Sequence, residues 1–100
     1  MNEQTMLEAL KVDLGISTTA YDTRLAQYLV SARAAIETEG IALDNTGTEQ
    51  APLLSVEDAG LVIMYAAWLW RKRDTGEGMP RMLRWQLNNK LFSQKVAANG

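Results

Sequence analysis

The feature that most constrains the fold is an apolar run from Ala59 to Trp70, which only Gly60 interrupts. The run is apolar on every side of a helix, as is typical of a central helix that other elements surround. It has 12 residues, well short of the roughly 18–20 needed to span a bilayer, so no membrane partner is expected. Ser55 and Asp58 are placed to cap its start, and the sequence therefore predicts a buried helix over residues 56–73.

Two helices are predicted before this run. Thr5 followed by Glu8 forms a capping box, which starts a helix over residues 5–14. The next helix, over residues 19–39, carries the cleanest apolar stripe of the sequence, and Gly40 ends it.

One more helix is predicted after the run, over residues 80–96, because Pro80 suits a first helical turn. No segment alternates as a half-buried strand would. We therefore expect an all-α fold, a single small domain over residues 1–100 with about four helices, of which the third is central and buried. The polar segments 42–54 and 74–79 are expected to be mobile. The predicted core is Leu25, Leu29, Ile36, Val62, Ile63, Ala66 and Leu69.

The composition excludes several classes of chemistry. The chain has no cysteine and no histidine, so it lacks thiol nucleophiles, disulfides, the most usual general base and the commonest metal ligand. Its carboxylates are scattered singly, mostly at helix starts or in turns, where the helix dipole explains them. The segment Gly76–Gly78 lacks the lysine–hydroxyl pair of a phosphate-binding loop. We expect no enzyme, and no catalytic, metal-binding or cofactor-binding residue.

Charge is divided along the chain, although the net charge is only −2. Residues 1–70 carry 10 acidic and 3 basic side chains, a net −7, whereas residues 71–100 carry 7 basic and 2 acidic, a net +5. Such asymmetry suggests a polyanion partner or head-to-tail association of identical subunits, and solvated helix faces are the alternative. Arg71, Lys72 and Arg73 form a candidate cluster that faces DNA or another partner.

The predicted fourth helix carries two apolar stripes on roughly opposite sides. A helix that packs once against its own core needs only one stripe. The helix is therefore either shared with a neighbouring molecule or covered by its own domain on two sides. The first stripe is Met79, Leu83, Leu87 and Leu91, and the second is Met82, Trp85, Phe92 and Val96. The candidate interface with a second subunit or another partner is Arg81, Arg84, Trp85, Phe92 and Lys95.

Most of the chain resembles one family, the head–tail connectors of tailed bacteriophages. The resemblance is carried by Leu61–Arg73 and by Met79–Lys95, whose opening Met-Pro-Arg-Met-Leu-Arg is distinctive. The stretch from Leu7 to Ile36 is similar to the opening pair of helices of that family, and the similarity covers residues 5–95. The segment Thr18–Asp22 departs from the pattern, because similar proteins often have a more acidic run there, which puts that helix's cap or contacts in doubt.

The resemblance implies a structural protein of a phage or prophage virion, located at the head–tail junction and in the host cytoplasm before assembly. Such subunits form a ring beneath the portal, which extends the DNA channel, completes the packaged head and receives the tail. The implied partners are further copies of the chain, the portal protein and a tail or stopper protein. Non-specific contact with packaged DNA is left open, as is a monomeric state in isolation.

Two other functions are also compatible with the sequence. The first is a small DNA-binding or DNA-packaging accessory protein, and the second is a helical interaction module of unknown partner. For the connector, we predict that the acidic first two-thirds of one subunit meets the basic last third of its neighbour, with Trp85 or Phe92 as apolar anchors.

Overall fold

A computed structural model of the chain describes residues 1–43, 46–48 and 53–99. Among these residues the only extended pairing is a single antiparallel bridge between Asn2 and Leu53. The all-α prediction is confirmed. The helices are α1 (Glu3–Leu14), α2 (Asp22–Thr38), α3 (Val56–Thr75) and α4 (Arg81–Asn99).

The third helix is central, as predicted. It packs against each of the other three helices, most extensively against α2. As a result, its residues from 58 to 70 are all buried or only partly exposed. Six of the seven predicted core residues are buried. The exception is Leu69, which is only half-buried at the edge of the core.

The first helix begins earlier than predicted. The side chain of Asn2 accepts a hydrogen bond from the backbone N–H of Thr5, so the helix starts at Glu3. The predicted capping box is therefore wrong, and Glu8 instead accepts a hydrogen bond from the Gln4 amide. The predicted end is confirmed, since Gly15 has a φ of 71° and caps the helix in the left-handed conformation that glycine tolerates.

The second helix differs from prediction at both ends and the third at one, since α2 ends at Thr38 with Glu39 as its cap and not at residue 39 before Gly40. α2 starts at Asp22 rather than at residue 19, because the Thr18 hydroxyl accepts the N–H of Ala20 in a turn. The Ser55 hydroxyl does accept the N–H of Asp58, which confirms the cap of α3. That helix continues to Thr75, two residues beyond the prediction, before Gly76 caps it.

The fourth helix begins one residue after the predicted start, and the Pro80 carbonyl accepts its first backbone hydrogen bond from Arg84. It runs on to Asn99 instead of ending at residue 96. Parts of the predicted mobile loop 42–54, namely residues 44–45 and 49–52, lie outside the described residues.

Candidate functional site

The two apolar stripes of α4 have opposite environments. Leu83 and Leu87 of the first stripe are fully buried, with Met79 and Leu91 packed beside them. Every member of the second stripe is more than half exposed, from Val96 at 53% to Phe92 at 67%. The alternative in which the domain covers both sides of the helix therefore does not hold for the described part of the chain.

The exposed residues of α4 follow a regular spacing. Met82, Trp85, Asn89, Phe92 and Val96 are separated by steps of three, four, three and four residues, and all five are exposed. This is the seam spacing of a helix that packs along another helix. We call these five residues the outer stripe. The stripe has the chemistry of a binding surface, because the aromatic side chains of Trp85 and Phe92 lie one on each side of the Asn89 amide.

A bidentate ion pair holds α4 against the end of α2. The Arg84 guanidinium donates hydrogen bonds of 2.7 and 3.3 Å to the two carboxylate oxygens of Glu39. This hydrogen bonding raises the pKa of Arg84, so the cation is permanent. Arg84 was predicted among the interface residues, but its charge is already neutralised within the subunit.

A second ion pair fixes α4 to the start of α3. The Lys90 ammonium lies 2.8 Å from a carboxylate oxygen of Asp58. Asp58 is 1% exposed and is the only charged residue in the core of the described chain. Asp58 was predicted to act only in capping α3, and its contact with α4 was not predicted.

The middle of α4 is also tied to the segment that follows α2. The Gln94 amide donates to the Ala42 carbonyl at 2.8 Å and accepts the Ala42 N–H at 3.0 Å. Leu91 lies beside Gly40, where a Cβ atom would contact its side chain at 3.5 Å. These contacts orient α4 with its outer stripe towards solvent.

Two of the predicted interface cations remain available for contact with a partner. Arg81 and Lys95 are exposed, and neither makes an ion pair within the described ranges. They flank the outer stripe near its two ends, and α4 contains no acidic residue. The predicted interface therefore divides into an exposed part, formed by Arg81, Trp85, Phe92 and Lys95, and Arg84, which holds the helix in place.

The basic cluster after the apolar run is largely occupied by its own aromatic neighbours. The Arg73 guanidinium lies 3.7 Å from the ring centroid of Trp70 and the Lys72 ammonium 4.4 Å from that of Trp68. Arg71 donates to the backbone carbonyl of Asp13 at 3.4 Å. One face of each of these two indole rings is therefore covered by a cation of the same chain.

The remaining surfaces of Trp68 and Trp70 are engaged as well. The Trp68 indole N–H donates to the Glu77 carbonyl at 3.1 Å. Tyr21 and Tyr28 contact the Trp70 ring edge-on, with centroids 5.5 and 5.8 Å away. Trp85 is consequently the one exposed indole in the described chain.

A groove between α1 and α2 was not predicted. Its cavity volume is about 490 Å³. Leu54 contributes to its floor, and the backbone N–H of Leu54 donates to the Met1 carbonyl at 3.0 Å. The floor is completed by Met6, Leu29 and Val62, and the exposed α2 residues Ala26, Val30 and Ala34 form one wall.

The rim of this groove is polar. Glu3 and Gln4 lie on the α1 side, and Arg33 and Glu37 on the α2 side, where they form an ion pair at 3.3 Å. The rim thus carries two carboxylates and one guanidinium. The sequence signal for the groove is the spacing of Ala26, Val30 and Ala34, which places small apolar side chains on a solvent-facing side of α2.

Other site types were sought over the same ranges. No group of three or more histidine, cysteine, aspartate or glutamate side chains in the described residues could hold a metal ion. None of the helices described there is long and apolar enough to cross a membrane. No protein-family model, characterised protein or solved structure matches the chain.

Proposed function

We propose that this chain is a structural subunit of a tailed phage or prophage virion, which forms a ring between the portal and the tail, extends the DNA channel and completes the packaged head. The observation that carries the proposal is the outer stripe, which stays exposed on a helix that is firmly held from behind. A subunit that assembles needs such a preformed surface, since rigid anchors lose little entropy on binding.

The size of the exposed surface supports an assembly function. Four large apolar side chains, each more than half exposed, offer roughly 400–500 Å² of apolar surface, a size at which patches on monomers are usually functional. The resemblance of residues 61–73 and 79–95 to head–tail connectors supports the choice of a phage virion as the assembly. Location at the head–tail junction, and in the host cytoplasm before assembly, belongs to the same proposal.

The test is head completion with purified protein. Portal-bearing, DNA-filled heads without a tail are incubated with the chain and imaged by electron microscopy. We expect added density below the portal and retention of DNA. Phe92→Ser should lose this density, whereas Val12→Ser, at another exposed apolar position, should retain it. Absence of wild-type density on heads from the phage that encodes the chain would reject the function.

A small DNA-binding accessory protein is the second candidate, and one observation favours it, because Arg71 and Lys72 are exposed. Base stacking on Trp68 or Trp70 is disfavoured by the cations that cover these rings. Binding would therefore depend on phosphate contacts and fall steeply with salt. Salt-sensitive binding of the isolated chain to duplex DNA, abolished by Arg71→Gln with Lys72→Gln, would favour this candidate over the connector.

A further inference from the structure

We propose that the outer stripe of one copy docks into the groove between α1 and α2 of a second copy, so that identical subunits join head to tail. The inference rests on the proposed function, because a ring subunit must present two different surfaces that complement each other. It goes further by naming both surfaces and the residues that meet.

The groove has the length and the volume for a helix. On α2 it extends from Ala26 to Glu37, which is about 17 Å at about 1.5 Å per residue. The two aromatic anchors Trp85 and Phe92 are separated by about 10 Å on the same scale. The cavity of about 490 Å³ falls within the range of about 300–1,000 Å³ that is typical of pockets for drug-sized ligands, which are comparable in size to two aromatic side chains. Both anchors can therefore enter the same groove.

The two surfaces also match in chemistry. The floor of the groove is apolar, and its wall of Ala26, Val30 and Ala34 allows a second helix to approach closely. An amphipathic helix in an apolar groove is a recurrent mode of recognition, in which anchors at helical spacing supply the affinity. The polar centre of the stripe, Asn89, finds hydrogen-bonding groups in Gln4 and Glu37 at the rim.

Charge favours this pairing over the pairing of two outer stripes. Arg81 and Lys95 flank the stripe, and α4 has no carboxylate, so two copies of α4 side by side would place only cations near each other. The rim of the groove carries Glu3, Glu37 and the single cation Arg33, which pairs with Glu37, so the rim keeps a net negative charge through Glu3. Opposite charges at a rim guide the approach and fix the register of two surfaces.

The experiment uses the absence of cysteine from the chain. Ser93→Cys places a thiol beside the outer stripe and leaves all five stripe residues in place, and Val30→Cys places one in the groove of a second, tagged protein. Both positions are exposed, so the fold should be retained, which circular dichroism verifies. The two proteins are mixed and treated with a short bis-maleimide, and the products are separated by mass. Val12→Cys, also exposed, replaces Val30→Cys in the control.

We expect about tenfold more cross-linked heterodimer from the Ser93→Cys and Val30→Cys mixture than from the control, a ratio that corresponds to ~1.4 kcal/mol of specific contact energy. Ala34→Arg in the groove-bearing protein should remove the excess, whereas Ser31→Arg, on the same helix outside the groove, should leave it unchanged. Both replacements introduce arginine, a good helix former, at an exposed position.

Other outcomes would overturn the inference. Homodimers of Ser93→Cys as the main product would mean that two outer stripes pair with each other, and a yield no higher than the control would mean that the groove is not the docking site. The cross-linking needs only the isolated chain, so it separates this inference from the proposed function. A heterodimer excess together with failed head completion would retain the surfaces and reject the connector.

Discussion

The guanidinium of Arg84 and the carboxylate of Glu39, 45 positions apart in the sequence, form a bidentate ion pair that fastens α4 to the end of α2. The pair lies on the side of α4 away from the outer stripe. Together with Lys90 and Gln94 it determines which side of α4 faces solvent. Surface ion pairs usually contribute little, but bidentate geometry is the case in which a contribution is measurable.

We first predict a measurable coupling between Arg84 and Glu39. In a double-mutant cycle with Arg84→Met and Glu39→Gln, the free energy of unfolding should show a coupling of about 0.5–1.5 kcal/mol, a range that allows for partial exposure. Urea denaturation provides the measurement. A coupling near zero would contradict the proposed fastening.

The second prediction concerns the buried carboxylate of Asp58. Removing its partner by Lys90→Met should destabilise the chain by about 3 kcal/mol, because a buried charge loses its ion pair. Lys95→Met serves as the matched control, since Lys95 is exposed and makes no ion pair in the described chain; its effect should stay within about 0.5 kcal/mol. Equal unfolding free energies for the two variants would show that the Asp58 contact is unimportant.

The third prediction is a dependence on alkaline pH. Burial raises the pKa of the Tyr65 hydroxyl, and the Glu39 carboxylate raises it further, while Arg84 lowers it. The folded state therefore keeps this proton at a pH where the unfolded chain, with a pKa of about 10, releases it. The resulting stability is complete below about pH 10 and is lost as the pH rises through the folded-state pKa.

Tyr65→Phe should remove this part of the pH dependence. Above about pH 10 the free energy of unfolding should fall less steeply for the variant than for the wild type. Chemical denaturation in a series of alkaline buffers measures both slopes. Identical slopes would mean that Tyr65 titrates alike in the folded and unfolded states.

The fourth prediction compares the stability effects of truncating Leu29 and Leu69, which were both predicted from the sequence to lie in the core. Leu29 is buried, and Leu29→Ala should cost about 2–5 kcal/mol through lost transfer energy and the cavity left behind. Leu69 is only half-buried, so Leu69→Ala should cost distinctly less. The comparison requires only the two urea denaturation curves, and a larger loss for Leu69→Ala would contradict the packing described above.

The sequence predicts the helices and the central position of α3 because these depend on local signals. Ser55 and Gly15 act on their own helix ends, and the apolar run determines which helix lies at the centre of the core. Where two local signals compete, the prediction was less accurate, because Asn2 and Thr5 are both good N-cap residues and only one of them starts α1.

The candidate site was predictable only in part. The second stripe of α4 is visible as helical spacing, but its exposure depends on contacts that α4 makes with distant residues such as Glu39 and Ala42. A single sequence does not show which of several acidic residues pairs with Arg84. The groove is likewise formed by the packing of α1 against α2, and spacing alone leaves that packing undetermined.

The last prediction concerns Trp85 and the two exposed cations of α4. Because the Trp85 side chain is 61% exposed, Trp85→Ala should retain the helical circular dichroism signal and lower the free energy of unfolding by no more than about 1 kcal/mol. It should nevertheless reduce cross-linking between the outer stripe and the groove, since aromatic anchors dominate the energy of interfaces. A lost helical signal would show instead that Trp85 supports the fold.

Arg81→Glu with Lys95→Glu should weaken the same cross-linking without unfolding the subunit, because both side chains are exposed and make no ion pair in the described ranges. The new carboxylates would face Glu3 and Glu37 at the rim of the groove. Their repulsion extends over about 10 Å at 0.1 M salt and further in more dilute buffer. The loss relative to wild type should therefore be greater at low ionic strength. Cross-linking yields at two salt concentrations measure this, and a loss that is independent of salt would contradict the charge complementarity of the two surfaces.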